Sequence, residues 1–285
     1  MSRKHRDTLE RLKELDREIQ LLRHTSSLLN WDQETWLPKK GIRERSEQLG
    51  LLEGMIHERL TSGEIGGLLA EAESSAGAGG GDGADEGAPD APNAPDAPDA
   101  SGDVRAFLRA LRRQYDRATK IPNRLVVELA REVSTAQAVW VDARSRDDFE
   151  AFAPHLEKLL SLNIEKAQAV GYEHHPYDAL LDEYEPWMTS EKVGKVFEEL
   201  EEALVPFVRE LQNKGDVDDS FLYESYPIAG QQALSRKVLE DMEYDFERGR
   251  LDVSAHPFTI AVGGDDVRIT THFREHNIKS ALFGS

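Results

Sequence analysis

Two histidines near the end of the sequence have the spacing of a metal-binding motif. His272 and His276 lie four residues apart with Glu275 between them, and the pattern H-x-x-E-H is known from zinc sites. On a helix, two histidines at this spacing can bind one zinc ion. However, the β-branched run 267–271 predicts a strand directly before His272, and the sequence offers no convincing third ligand. Two surface histidines in a turn after a strand are therefore the favoured interpretation.

A second set of residues could recognise a carboxylate. Asp266, Arg268 and Thr270 alternate along a predicted strand and so share one of its faces, and His256 lies in the loop between two earlier predicted strands. A guanidinium binds a carboxylate through two parallel hydrogen bonds, so an arginine held beside an aspartate on a strand is a good receptor. A buried structural ion pair is the alternative. We predict that Arg268, His256, Asp266 and Thr270 bind substrate.

Two further clusters have structural explanations that are more typical. The segment W-D-Q-E-T-W at 31–36 places two carboxylates between two tryptophans, which could be a paired-carboxylate site, but a helix end with anchoring aromatic rings is more common. The adjacent His174 and His175 point in different directions and rarely share a metal. The sequence contains no phosphate-binding loop, nucleophile elbow or H-E-x-x-H motif. These patterns by themselves assign no catalytic residue and no metal ligand.

The elements that position these residues are predicted to be mostly helices. Apolar residues recur every three or four positions, which is the pattern of amphipathic helices. These stretches lie at 9–22, 45–60, 104–115, 122–140, 149–164, 189–204 and 234–242. After residue 249 the pattern changes to short β-branched runs, which predict a small antiparallel β element near residues 251–271. The fold class is therefore mainly α, and residues 277–282 predict the start of one more helix.

Composition excludes several classes of protein. The chain has no cysteine, which excludes a disulfide scaffold, a thiol nucleophile and a thiolate metal site. The net charge of −19 argues against binding to nucleic acid or to an anionic membrane. The first 23 residues are charged and lack the apolar stretch of a signal peptide, and no apolar run is long enough to span a bilayer. We expect a cytoplasmic protein.

One segment divides the chain. Residues 74–102 consist almost wholly of Ala, Gly, Asp, Pro and Ser, and such a composition cannot bury enough apolar surface to offset the entropy of ordering. We interpret it as a disordered acidic insert, with an interaction tail as the less common alternative. The predicted organisation is N-terminal helices at 1–73, this insert at 74–102, a helical body at 103–249, and short strands with the start of a helix at 250–285.

Several short motifs, in the same order, resemble those of one peptidase family. They are L-N-W-D-Q-E-T at 29–35, Y-D-R-A-T-K at 115–120, H-P-Y-D-A-L-L-D at 175–182, D-F-E-R-G-R-L-D at 245–252, H-P-F at 256–258, D-V-R-I-T-T at 266–271 and S-A-L-F-G at 280–284. Together they are similar to the carboxypeptidase Taq family, the thermostable carboxypeptidase 1 type of metallopeptidase. The resemblance covers nearly everything outside the acidic insert.

The resemblance implies a mostly α-helical fold around a deep cleft, usually as a homodimer. It also implies a zinc (or cobalt) exopeptidase that removes single residues from peptide C-termini, with the H-P-F and D-x-R-x-T motifs beside the zinc. In the family the zinc helix carries H-E-x-x-H and begins just after A-L-F-G, so the ligands are expected beyond Ser285. We expect an N-terminal part of a metallocarboxypeptidase that is inactive and binds no metal by itself. The alternatives are a non-catalytic helical binding or dimerisation module, and a small metalloprotein using His272 and His276.

Overall fold

Helices form most of the chain in the computed structural model, which describes residues 3–77, 100–215 and 217–282. Ten α-helices are present in this described part: α1 (Arg3–Thr35), α2 (Ile42–Leu60), α3 (Gly63–Gly77), α4 (Ala100–Ala118), α5 (Asn123–Arg146), α6 (Phe149–Val170), α7 (Pro176–Tyr184), α8 (Ser190–Gln212), α9 (Ile228–Asp241) and α10 (Lys279–Leu282). Two short 3-10 helices (Lys39–Gly41 and Ser220–Tyr223) lie in the connections. The mainly α fold class is as predicted.

The helical body packs around two adjoining sets of contacts. α1 to α4 share a hydrophobic core whose members include Leu12, Ile19, Leu69 and Leu111. α2 also packs along α5, and α5 packs along α6. Because the apolar residues of α1 recur at helical spacing, one face of this 33-residue helix enters the core and the other stays in solvent. The long α1 thereby reaches from the core to the sheet that follows α9.

Three strands form a small mixed sheet: β1 (Gly249–Val253), β2 (Thr259–Gly263) and β3 (Asp266–Thr271), in the order β1-β3-β2. β2 and β3 are an antiparallel hairpin, whereas β1 pairs parallel to β3. The prediction of a purely antiparallel element is therefore wrong for β1. The chain reverses direction between β1 and β2 and again between β2 and β3, so β1 and β3 run the same way. Because β2 occupies one edge of β3, β1 pairs with the other edge.

The first residue of β1 must be a glycine. A Cβ atom at Gly249 would lie 2.1 Å from the Tyr244 hydroxyl and 2.1 Å from the Val267 carbonyl oxygen. The Tyr244 hydroxyl donates to that same carbonyl at 2.5 Å, and burial raises the pKa of this phenol. The absence of a side chain at Gly249 lets the tyrosine bridge two strands at the start of the sheet.

Local sequence signals account for some helix boundaries and miss others. Thr189 caps α8, since its hydroxyl accepts from the backbone amide of Lys192. Pro206 lies inside this helix, yet α8 continues to Gln212. The carbonyl that loses its amide partner there lies on an exposed helix, where water can bind it. The periodicity also missed α3, which is rich in glycine and alanine, and α7, which has only nine residues.

The predicted acidic insert is described only at its two ends. Residues 74–77 complete α3 and residues 100–102 begin α4, so the helices extend a few residues into the predicted segment. Its centre, 78–99, lies outside the described residues. The prediction of disorder stays a prediction for that centre.

α8 differs from the other long helices because it has no buried residue. One side of α8 carries large apolar side chains that are 45–61% exposed: Val196, Phe197, Leu200, Leu204, Phe207, Val208 and Leu211. We refer to these seven residues as the apolar row of α8. Within the described part of the chain, no helix combines the length and apolar character needed to cross a membrane.

Candidate functional site

The end of α1 meets the sheet through one buried tryptophan. Trp31 is 6% exposed, and the guanidinium carbons of Arg268 and Arg250 lie 4.1 Å and 4.9 Å from its ring centroid. The two arginines are register partners on the parallel strands β3 and β1. The indole nitrogen of Trp31 has no hydrogen-bond partner among the described residues, so the ring is held through its π-face, where a cation is electrostatically favourable.

Each of these arginines is also bound to an aspartate on its own strand. Arg268 donates from Nε and Nη2 to the two carboxylate oxygens of Asp266, at 2.8 Å and 2.6 Å, and Arg250 makes the same fork with Asp252. The hydrogen bonds from Arg268 hold the pKa of the Asp266 carboxyl below its usual range. The predicted proximity of Asp266 and Arg268 is therefore present, as an ion pair that occupies one edge of the guanidinium.

Thr270 lies on the same strand, but its environment does not suit the predicted contact with substrate. Its side chain is fully buried. Its hydroxyl oxygen accepts from the Phe258 amide at 2.8 Å and lies 2.8 Å from the Ser254 hydroxyl oxygen. A direct contact with substrate is incompatible with this burial. Thr270 instead fixes both ends of the turn that presents His256, since Ser254 also donates to the His256 carbonyl at 2.8 Å.

His256 is exposed on this turn and lies beside the end of α1. Its Nδ1 lies 3.0 Å from the Pro257 carbonyl oxygen, and its ring centroid lies 6.3 Å from that of Trp140. Burial raises the pKa of the Glu34 carboxyl, and the nearby charge of His256 acts in the opposite direction. The Gln137 amide donates to this carboxyl at 2.7 Å. His256 and Glu34 therefore lie near each other, where α1, α5 and the turn after β1 meet.

The remaining polar residues of the W-D-Q-E-T-W segment have structural partners. Asp32 pairs at 2.6 Å with the nearly buried Arg45 of α2, and Gln33 exchanges hydrogen bonds with Ser134 of α5. Trp36 donates to Asp252 at 3.3 Å. Each side chain of this helix end therefore reaches a different element. The two carboxylates have separate partners, which is the pattern of a structural junction.

The predicted histidine clusters do not assemble a metal site. His272 Nδ1 lies 3.0 Å from the Ser254 carbonyl oxygen, and His276 follows in an irregular segment after β3. His175 caps α7 by accepting from the Tyr177 amide. The described residues include no group of three or more His, Asp or Glu side chains that could hold a metal ion. They therefore do not fit a resident metal by themselves.

Two cavities open near these elements. One of about 710 Å³ lies between α1, α2 and α4 to α7, and its lining is mostly apolar with Arg113, Arg117 and Lys166 at one side. A smaller one of about 340 Å³ lies beside the His256 turn. Arg268 is absent from the linings of both. Sequence reasoning did not find the smaller cavity, because it joins α5, the turn and the residues after β3, which are distant in the chain.

Comparisons with known proteins give one consistent result. The family model described as carboxypeptidase Taq (M32) metallopeptidase matches residues 11–285. Thermostable carboxypeptidase 1 of Thermus thermophilus is 36% identical over 284 residues, which are 96% of this chain and 52% of the relative. Carboxypeptidase 1 of Bacillus subtilis is 32% identical over 260 residues, 91% of this chain and 48% of the relative.

Solved structures agree with these sequence matches. The crystal structure of BsuCP superimposes with a TM-score of 0.85 at 30% identity, and covers 98% of this chain and 52% of that one. The M32 carboxypeptidase of Deinococcus radiodurans R1 gives a TM-score of 0.74 at 32% identity, with 98% and 52% covered. The chain thus spans about half the length of the relatives that it matches.

The Thr270 hydroxyl generates a first prediction. Thr270→Val keeps the volume but leaves the buried Phe258 amide without its acceptor, so we expect a loss of about 1–3 kcal/mol in the free energy of unfolding. Thr270→Ser keeps the hydroxyl and should lose less. Urea denaturation gives both values, and hydrogen exchange at the Phe258 amide should accelerate in the valine variant alone. Equal stability of the wild type and Thr270→Val would show that the turn does not depend on this hydroxyl.

The lowered pKa of Asp266 generates a second prediction. A carboxyl whose pKa is depressed in the folded state stabilises the fold above its ordinary pKa of about 3.9, and this contribution disappears as the pH falls through the folded value. Asp266→Asn should therefore cost about 1 kcal/mol at pH 7, a small value because the pair is partly exposed. The difference from the wild type should shrink below about pH 4.

Urea denaturation of the wild type and of Asp266→Asn, from pH 7 to below about pH 4, tests whether the difference in the free energy of unfolding shrinks as the pH falls. Asp219→Asn is the matched control, because this carboxylate is exposed and has no ion pair within the described part of the chain. A difference between Asp266→Asn and the wild type that stays constant with pH would contradict the role given to the ion pair.

Proposed function

The chain belongs to the carboxypeptidase Taq (M32) metallopeptidase family, and on that premise we propose that it forms the substrate-carboxylate side of a metallocarboxypeptidase. The complete enzyme would release single C-terminal residues from peptides. The relatives are named carboxypeptidases, and such an enzyme must distinguish a free C-terminal carboxylate from an internal peptide bond. A fixed cation near the reacting bond can make that distinction, because it pairs only with the free terminus.

One observation supports Arg268 as this cation. Asp266 occupies the Nε and Nη2 edge of the guanidinium, and the ring of Trp31 lies against its face. The second edge, formed by Nη1 and the remaining hydrogen of Nη2, has no partner among the described residues. Since a guanidinium can bind one carboxylate on each of two edges, Arg268 can hold a substrate carboxylate without releasing Asp266.

The neighbouring residues would position this receptor. Asp266 fixes the rotation of the guanidinium, and the strand fixes its direction better than a loop would. Thr270 holds the turn that carries His256. The Nδ1 atom of His256 lies against the Pro257 carbonyl oxygen, so its Nε2 donates a hydrogen bond to substrate when the imidazole is protonated. These four residues are the predicted substrate-binding set, with Thr270 now acting through the turn. No step of bond cleavage is assigned to them.

The metal of the complete enzyme is part of the same proposal. We propose zinc, or cobalt, because the family is one of metallopeptidases, and we propose ligands from residues other than those that the structure describes. The metal would activate the attacking water. A homodimer in the cytoplasm is also proposed, and it is supported by the resemblance of the motifs alone.

A non-catalytic binding or dimerisation module is the second candidate function. The apolar row of α8 favours it, because seven large apolar side chains in contact with solvent are typical of a helix face that meets another protein surface. The two candidates differ in one result. If the chain is part of a carboxypeptidase, its fusion to the remaining part of a relative should hydrolyse peptides. If it is a binding module, the fusion should not.

Replacement of Arg268 tests the proposal in a completed enzyme. We would fuse this chain to the part of the Thermus thermophilus relative that the alignment leaves uncovered, and measure release of the last residue from an N-blocked dipeptide. Arg268→Ala should weaken transition-state binding by about 2–5 kcal/mol, the scale for removing one member of a buried charge pair. That corresponds to a loss of roughly 30- to 5,000-fold in kcat/KM, and Arg268→Lys should recover only part of it.

Arg250→Ala is the matched control, because Arg250 makes the same fork and contacts the same tryptophan from the neighbouring strand. It should leave kcat/KM within a few fold, and metal content should be equal in all variants. If Arg250→Ala and Arg268→Ala lost activity equally, the arginines would act through the Trp31 contact. Full activity of Arg268→Ala would contradict its role as the carboxylate receptor.

A further inference from the structure

The smaller cavity is surrounded by positive charge. Its polar lining consists of Arg144, His256, His272, Arg274, Lys279 and Ser280. No Asp or Glu contributes to it, although the whole chain carries a net charge of −19. Three permanent cations at one opening raise the local potential and attract anions.

These cations lack carboxylate partners. Within the described part of the chain, Arg144 and Arg274 form no ion pair; the guanidinium of Arg144 lies 5.1 Å from the Trp140 ring centroid instead. Lys279 donates only to the Tyr223 hydroxyl, at 3.3 Å. By contrast, most other arginines of the fold meet an Asp or Glu, as Arg268 and Arg45 do. Within the described residues, the charge at this cavity is therefore not compensated by a carboxylate.

The backbone around the cavity is held in place. The buried Gln231 donates to the Arg274 carbonyl at 2.8 Å, and His272 Nδ1 lies 3.0 Å from the Ser254 carbonyl oxygen. Since a carbonyl only accepts, Nδ1 of His272 carries the hydrogen, and its Nε2 donates to an anion only when the ring is protonated. The cations thus surround a built pocket whose walls come from α5, the His256 turn and the segment between β3 and α10.

We propose that this cavity is a binding site for a small oxyanion of the carboxylate or phosphate type. The two arginines and Lys279 supply charge-assisted hydrogen bonds, and His272 adds one from Nε2 when its ring is protonated. The cations are partly exposed, so the binding must weaken as salt screens them. His256 lines this cavity and also belongs to the proposed substrate-binding set, so a carboxylate ligand here rests on the proposed function. Anion binding itself can be measured in the 285-residue chain without any metal, so it can fail or succeed separately from peptide hydrolysis.

Titration of the chain with inorganic phosphate, followed by isothermal titration calorimetry and by NMR signals of the His256 and His272 rings, tests the proposal. We expect saturable binding that shifts both histidine signals. The double variant Arg144→Gln/Arg274→Gln should bind at least about tenfold more weakly, the scale for losing charged hydrogen bonds. Arg209→Gln, an exposed arginine on α8, removes a similar charge elsewhere and should bind like the wild type.

A second arm identifies the source of the anion. N-acetylglycine carries a free carboxylate, and N-acetylglycinamide is its neutral counterpart. Competition by the acid alone would support a site that takes the carboxylate of a peptide or metabolite, whereas binding of phosphate alone would support a phosphate site. Equal competition by the amide, equal binding to the double variant, or a loss as large in Arg209→Gln would each overturn the proposal.

Discussion

The contact of Trp31 with two arginines is the joint on which the rest of the site depends. It is the point where α1 meets the sheet. Two guanidiniums lie close to one buried ring, and each is paired with an aspartate on its own strand. Burying an arginine without a partner is costly. The aspartates therefore allow the cations to approach the ring, and the ring in turn limits the directions that the arginines can take. The contact couples the orientation of Arg268 to the position of α1.

Hydrogen bonds and ion pairs around Trp31 connect the end of α1 to α2, to α5 and to the His256 turn. Asp32, Gln33 and Glu34 fix the end of α1 to α2 and α5 through separate partners, and Glu34 lies beside His256. Thr270 then holds the His256 turn to the strand that carries Arg268. The hydrogen bonds and ion pairs at the end of α1 and the hydrogen bonds of Thr270 in the His256 turn make this region rigid. A recognition site needs such rigidity, because small displacements of a charged group weaken binding strongly.

The sequence predicted the parts of this arrangement that depend on local patterns. Helical spacing located most of the long helices, and β-branched runs located all three strands. The sequence patterns could not predict that β1 pairs in parallel with β3, because strand order depends on which edge of β3 remains unpaired in the folded chain. Alternation placed Asp266 and Arg268 together correctly, yet assigned Thr270 to a ligand, because spacing does not report burial. The basic cavity could not be predicted for a similar reason, because Arg144 and Lys279 are 135 residues apart in the chain and meet only in the folded structure.

A double-mutant cycle between Trp31 and Arg268 tests the central claim most directly. The free energies of unfolding of the wild type, Trp31→Leu, Arg268→Met and the double variant would be measured in urea. Methionine preserves most of the side-chain volume and removes the charge. The structure predicts a coupling energy of about 0.5–2 kcal/mol, the range for a cation on a desolvated aromatic ring. Additivity within about 0.3 kcal/mol would show that the two residues pack independently and that Trp31 does not orient the arginine.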